Sequence, residues 1–579
     1  MDRTIYRCFL DVVARDPNAR AIRCGGRDCT YGELDRRAQS IAASLALPSD
    51  ATRPVVVLAG TNPIAEIAAI VGVIAAGAAV LPIDAREPAQ HLRRIIDLSR
   101  PSAVLASRAL LPLAAEVAAG VAVREIADDA SMSFAAVDVS PDAPAYICYT
   151  SGSTGEPKGI AATHGKTVTH ARASAEALAH GPGDRHTLLH SLAAGAARAT
   201  IWRALLSGGS LLPRRIDVEG VAGLRDWLDA EGATALFCSP TLYRTFVASL
   251  GPTDQLRTVR VLRLVGERVL PEDFASFKRH FARGARFVNA YSLTETGNVA
   301  LSVLTHDSIV PGDVLPVGYP RAGRRVRIVD ERGETVPAGV VGEIVAEEFR
   351  TGDLGRMDPD GLLFHLGRRD FQVKVRGFRV EIEGVEATLV RAPGVTQSAV
   401  LVRNNSQGDP MLVAYAAGDR RVVDEEGLRA FAVSHLPEGS VPSRFVLLDA
   451  LPLTASGKVD RRALGDLEDA TLTQPAAPVS WSDRSVVERS IAGIWRELLG
   501  HDRFAADEGF LAAGGDSLLA MRVLTLVRQQ LGVDVALNDF LRAPTVVALA
   551  RVVERRHADE LRASDAELER LLDEIERGQ

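Results

Sequence analysis

The sequence predicts an α/β N-terminal part followed, across a polar linker, by a small all-α unit. Three observations carry this. Helical segments and short apolar strand-like runs alternate through residues 1–265, the pattern of parallel strands buried on both faces. Thr471–Ser482 reads TLTQPAAPVSWS, polar and proline-containing as a linker is. Beyond it the pattern is helical, and at 579 residues the chain exceeds what one hydrophobic core organises, so about three to four units are expected.

Composition narrows the function classes. The apolar fraction of 47% suits a globular protein, and the formal charge, 67 − 74 = −7, supplies no basic field for nucleic acid. Cys8, Cys24, Cys29, Cys148 and Cys238 form no CxxC pair and no metal-ligand spacing, which reads as reduced thiols in a cytoplasmic protein. Asp2, Arg3, Arg7 and Asp11 make the N-terminus an amphipathic helix rather than a signal sequence. Ile67–Ile83 approaches membrane-spanning length, but it is alanine-rich and broken by Gly72, Gly77 and Pro82. It reads as a buried helix near Pro63–Ala76, a turn at Gly77 and a strand Ala79–Ile83, so no membrane partner is expected.

Other N-terminal elements follow in order: a helix Tyr31–Leu45, a strand Pro54–Ala59 and a strand Ala103–Ala106. Ala145–Ile160 reads AYICYTSGSTGEPKGI, a strand-like run and then a loop of hydroxyls and glycines ending at Lys158. Backbone N–H groups and hydroxyls there can surround a phosphate, glycines permit close approach, and the lysine supplies charge. Lys158 precedes Gly159 rather than Ser or Thr, so this is not the common P-loop. A helix near Lys166–Ala179, a helix near Val218–Glu231, and strands Ala235–Cys238 and Val259–Val265 continue the alternation, with no fixed-period repeat.

Three further segments carry candidate chemistry. In Asn289–Asn298, NAYSLTETGN, Tyr291 can stack on a purine and Glu295 offers a hard oxygen for Mg²⁺. Arg350–Gly355, RTGDLG, places Asp353 on a turn where its carboxylate can accept a ribose diol. Leu451–Leu464, LPLTASGKVDRRAL, carries Lys458 on a glycine-containing loop. Each alone also reads as a solvated turn.

Together these segments resemble the adenylate-forming superfamily, and in particular a nonribosomal peptide synthetase adenylation domain. The resemblance implies ATP contacts from Thr150, Ser151, Gly152, Ser153, Thr154, Gly155, Gly266, Glu267, Asn289, Tyr291, Thr294, Asp353 and Arg368. It implies catalytic roles for Lys158, Lys458 and the Mg²⁺ ligand Glu295, with Asp370 as hinge. The fold implied is a large α/β adenylation core, residues 1–369, with a small mobile α+β subdomain, 370–470. Strands in Phe371–Val375 and Phe378–Ile382 fit a hairpin around Arg376–Gly377. Ser292 and Leu293 replace the family's usual Gly-Pro, so that turn should differ.

After a linker, 471–483, the segment 484–557 resembles a peptidyl carrier domain of four helices. Helices near Arg484–Leu499, Asn538–Leu541 and Thr545–Arg555 flank FLAAGGDSLLAMRVL, where Ser517 matches the 4′-phosphopantetheine attachment site. A helix N-terminus suits the phosphate that attachment brings, although Asp516 or Ser517 can also be a plain N-cap. In the tail, 558–579, Ser564 and Glu567 form a capping box, and Leu568, Leu571, Leu572 and Ile575 make one apolar face. That helix either docks a partner or packs back on the carrier.

The implied function is ATP-dependent activation of a carboxylic acid or atypical amino acid as an acyl-adenylate, then transfer to the chain's own carrier thiol as a building block for nonribosomal peptide or related biosynthesis. The implied partners are a phosphopantetheinyl transferase and enzymes acting on the carrier-bound product. A free acyl-CoA or aryl-acid ligase, and a non-catalytic carrier scaffold, are the alternatives. The segment normally forming the acid pocket, Thr187–Leu212, departs from the family: Ala194 and Gly195 stand where α-amino-acid enzymes have Phe-Asp. No acid lies between Asp184 and Asp217, so the expected substrate lacks an ordinary α-ammonium or presents it differently. Ungapped counting continues the pocket through Ala196, Ala199, Phe237, Arg263, Val265, Ala290, Asn298 and Val299, and a two-residue gap brings in His190 and Ser191 instead. Arg263 at such a position can pair with a second acidic group, or else faces solvent. The chain also passes from Val341–Ile344 to Arg350 with a few tens of residues fewer than is usual.

Overall fold

The computed structural model describes residues 3–558 apart from 48–52, 127–131, 151–156, 294–296, 311–313, 322, 369–371, 376–377, 405–409, 453–458, 462, 466–480, 500–501, 503, 511–512, 514 and 516. The expected alternation resolves into two large sheets. One has six strands and is built on the parallel set Val55–Ala59, Val80–Asp84 and Ala103–Ala106, closed by the antiparallel pair Pro144–Thr150 and Lys158–Thr163. The other has nine strands, with Arg185–Leu188, Ala235–Cys238, Val261–Leu264 and Arg286–Leu293 running parallel through its centre. These runs are buried on both faces, which is why they read as continuous apolar segments.

The helices form where local signals agree. Tyr31–Leu45 starts on a reciprocal capping box between Thr30 and Glu33. Pro63–Ala75 begins with proline, capped by the Asn62 side chain, and is buried almost all round, not membrane-spanning. Gly72 lets these two helices touch: a Cβ there would lie 2.7 Å from the Ala38 carbonyl oxygen. The N-terminal helix Ile5–Arg15 is amphipathic as expected. Among the described residues, no helix is long and apolar enough to cross a membrane.

Two elements differ from the sequence reading. The helix near Val218–Glu231 is two helices, Ile216–Glu219 and Leu224–Glu231, because Gly220 and Gly223 adopt φ of 68° and 66° between them. RTGDLG is not a turn. Asp353 lies within strand Phe349–Met357, paired in register with Arg368 of Leu363–Arg368. The shortened connection after Ile344 is a tight hairpin: Gly342–Ala346 and Phe349–Met357 meet through Glu347, at φ 58°, and Glu348.

Beyond residue 371 a hairpin, Gln372–Val375 with Phe378–Glu381, leads to a three-stranded sheet backed by helices Ile382–Leu389 and Glu425–His435. The helical unit contains Val486–Leu499, Ser517–Leu531, Leu537–Arg542 and 546–558. Its core around Trp495, Phe510 and Phe540 is continuous with Leu242, Tyr243 and Phe246 of the nine-stranded sheet's helix Pro240–Ala248. The tail from 559 lies outside the described residues, so its expected capping box and leucine face do too.

Candidate active site

A cavity of about 500 Å³ opens between the two large sheets. Helix Gly195–Ser207 forms one wall and helix His164–Ala177 another. The ends of strands Ala235–Cys238 and Val261–Leu264 form its floor, where ligands bind in parallel α/β sheets. Trp202, fully buried, anchors the first wall by donating its Nε1–H to the Tyr146 hydroxyl at 2.8 Å.

Most of the pocket residues expected from sequence line this one cavity: His190, Ala194, Gly195, Ala196, Ala199, Phe237, Arg263, Val265 and Asn298, together with Gly266. His190 and Gly195 both belong to it, so the gapped and ungapped readings converge. Ala290 and Val299 do not line it. Side chains alternate along strand Gly297–Leu304, so the strand that turns Asn298 to the cavity turns Val299 into the core with Tyr291 and Ile344. Ala290 is likewise buried in the sheet opposite Leu301.

The nucleotide-side residues divide. Asp353 is buried and accepts a hydrogen bond from the Tyr291 hydroxyl, while His365 Nε2 lies 3.6 Å from its Oδ1 and the His365 ring 5.4 Å from that of Tyr291. The expected ribose carboxylate and purine-stacking ring are thus one unit across 62 residues of sequence. Asn289 instead donates Nδ2–H to the Pro316 carbonyl at 3.0 Å, and Glu267 accepts from the Thr241 amide and hydroxyl. Neither lines the cavity. Lys158 is exposed at the start of its strand, in register with Thr150. Ser151, Gly152, Ser153, Thr154, Gly155, Thr294, Glu295, Asp370 and Lys458 lie outside the described residues.

Residues from the C-terminal parts of the chain also reach the cavity. Phe378 of the hairpin and Gly439 line it from the small subdomain, and Met521 lines it from the carrier helix that Ser517 begins. Met521 is one helical turn after Ser517 on that helix.

Sequence reasoning missed Arg203. It lies four residues after Ala199 on the same helix, so the i, i+4 spacing that marked Ala199 also pointed to it. Arg203 and Arg263 are 3% and 6% exposed. Arg203 lies 4.0 Å from the centroid of the Phe237 ring and donates Nη2–H to Thr200 Oγ1 at 3.2 Å. Arg263 donates Nη1–H to Ser174 Oγ at 3.0 Å. The Nε of each is buried with no hydrogen-bond partner among the described residues. Burial, then the charge of Arg263, pushes Arg203 well below its ordinary pKa. Burial, then Arg321, pushes Arg263 down to about 10. His190 is lowered to about 4 by burial and by Arg203, so it is neutral at pH 7.

The acids on the cavity wall are already engaged. Glu66 Oε1 accepts three backbone N–H groups, from Gly60, Thr61 and Asn62, at 2.8–2.9 Å. Asp84 is forked by Arg86 at 2.9 and 2.6 Å and accepts from the Ser191 hydroxyl at 2.5 Å. A second polar cluster, His180, Asp184 and His186, does not line this cavity: Asp184 accepts from Arg260, Thr234 and the Gly181 amide, and Arg260 also contacts His180 Nδ1 at 3.1 Å.

Comparison with known proteins agrees with this geometry. The family model described as AMP-binding enzyme matches residues 9–348, its C-terminal domain matches 384–458, and phosphopantetheine attachment site matches 489–553. The chain is 33% identical to an isonitrile lipopeptide synthase of Mycobacterium tuberculosis, over 97% of this chain and 23% of that protein. It is 31% identical to malpibaldin synthetase of Mortierella alpina (96% and 11%), and 30% identical to a dimodular nonribosomal peptide synthase of Bacillus subtilis (92% and 24%). The chain therefore spans about a quarter or less of the length of these three relatives. A solved holo NRPS protein containing adenylation and PCP domains, bound to a vinylsulfonamide inhibitor, matches with TM-score 0.80 at 28% identity, covering 95% of this chain and 96% of that one. An artificially fused adenylation-PCP di-domain from Klebsiella oxytoca shares the fold, with TM-score 0.68 at 21% identity over 77% and 94% of the two chains. With more than half of its length matched by one family model, and that stretch forming the walls of the cavity, the chain belongs to the AMP-binding enzyme family.

Proposed function

We propose that the protein activates a carboxylic acid with MgATP and transfers the acyl group to its own carrier. The observation that carries this is the cavity shared by three parts: the acid pocket around Gly195, Phe378 of the small subdomain, and Met521 beside the Ser517 helix start. In the first half-reaction the acid's carboxylate attacks the α-phosphate and pyrophosphate leaves. Both reactants are anions, so orientation and charge neutralisation dominate. Lys158, Glu295 through Mg²⁺, and Lys458 fill those roles in this reading, and the Tyr291–Asp353 pair holds the nucleoside. In the second, the small subdomain has turned about Asp370 and withdrawn Lys458, leaving Phe378 at the channel. Phosphopantetheine on Ser517, installed by a phosphopantetheinyl transferase, supplies the thiol that accepts the acyl group. Covalent linkage to the adenylation part makes loading in cis the favoured route.

The engaged states of Glu66 and Asp84 support a substrate without an ordinary α-ammonium, because neither carboxylate is free to pair with one. The product is a carrier-bound building block for nonribosomal peptide synthesis or a related assembly, passed to other enzymes in the cytoplasm. The test is intact mass of the pantetheinylated chain with ATP and a panel of acids. An acyl adduct is expected, absent in Ser517→Ala, while pyrophosphate exchange persists in that variant. An adduct that survives Ser517→Ala would overturn carrier loading.

A further inference from the structure

We propose that the acid activated here carries a second carboxylate, held at the cavity floor by the guanidiniums of Arg203 and Arg263. This deepens the acid-activation reading above and rests on it.

The argument begins from cost. Two guanidiniums are buried in one cavity, and no carboxylate pairs with either among the described residues. Unpaired buried charge is expensive, whereas charge that awaits a counter-ion is what an anion site requires. Each is also pre-set. Ser174 fixes Arg263 from helix His164–Ala177, and Thr200 together with the Phe237 face fixes Arg203 from helix Gly195–Ser207. Each hydroxyl takes one N–H and leaves others, including the unpartnered Nε, which suits the forked geometry of a planar carboxylate.

Both arginines stand at the strand floor of the cavity. Phe237 and Arg263 are register partners on adjacent parallel strands, and Arg263 lies two residues before Val265, the side of the cavity leading to Gly266. The ATP phosphates would be bound instead near Thr150–Lys158, on the other large sheet. In this proposal the two arginines take the second carboxylate of the acid rather than the carboxyl that is activated. The other ionisable neighbours do not cancel them: His190 is neutral and Arg321 adds further positive charge.

The test is pyrophosphate exchange by the full chain with short dicarboxylic acids (malonic, succinic, glutaric and 2-oxoglutaric), each compared with its own monoamide. At least one diacid is expected to exceed its monoamide about 100-fold or more in kcat/KM, the scale of removing one partner from a buried charge pair. In Arg263→Met and Arg203→Met that ratio is expected to fall to about tenfold or less, through loss of the diacid rate. The wild-type comparison stands even where a variant fails to fold. Exchange supported only by monocarboxylic acids, or ratios unchanged in both variants, would overturn the subsite and leave acid activation standing. Exchange with no acid of any kind would overturn both.

Discussion

Arg263→Met should make the free protein more stable while impairing it as an enzyme. The guanidinium is 6% exposed, and burial, followed by Arg321, brings it down to about 10. That is two to three decades below an ordinary arginine, or ~3 kcal/mol at about 1.4 kcal/mol per decade. The sign follows from the direction of the change. A base whose folded pKa is depressed destabilises the fold wherever it is charged in both states, so the whole cost is present below about pH 10 and fades only above it. Methionine matches the stem and removes the charge, and it also relieves Arg203, which Arg263 repels. Against this stands the hydrogen bond to Ser174, worth about 1 kcal/mol. The net expectation is a gain of about 1–2 kcal/mol, seen as a rise of a few degrees in the thermal midpoint by circular dichroism at pH 7.5. A fall of several degrees would refute the reasoning, since it would mean that the charge is satisfied within the fold and awaits no ligand.

Two further outcomes are expected. Gly439→Ala would place a Cβ 2.2 Å from Phe378 Cγ, so the hairpin must move at the cavity mouth; loading measured by intact mass should slow about tenfold more than pyrophosphate exchange, and equal slowing would argue against Phe378 as a channel element. His164 and His180 are brought to about 4, and His186 well below its ordinary value, all first by burial, so they are neutral in the fold and take up protons on unfolding below pH ~6.5. Stability should fall as pH drops from 6.5 toward 4, these three protons alone contributing a slope of up to ~4 kcal/mol per pH unit; denaturation free energies flat between pH 6.5 and 5 would contradict it.

What the sequence made legible was local. Tyr31–Leu45 and Ala103–Ala106 have the bounds expected of them, because a capping box and a short apolar run carry their own information. Thr187–Leu212 was legible as a cavity-lining segment: His190, Ala194 and Gly195 share one cavity. What escaped depends on pairing between distant elements. TGD is a turn signal in isolation, but ladder partners at Arg368 and Gly367 hold Asp353 and Leu354 extended. Val299 was misplaced because ungapped counting ignores the two faces of a strand. Arg203 was missed for a different reason. Between Trp202 and Ala204 it interrupts Thr200–Leu205, the run of this helix that is buried on every side, and such an interruption reads as a defect in a core helix. Only the sheet beneath shows that Phe237 and Arg263 meet it there. A charge retained at a cost on an otherwise apolar wall is then the feature of the pocket that sequence motifs for ATP and for the carrier, however strong, say nothing about: the chemistry of the acid itself.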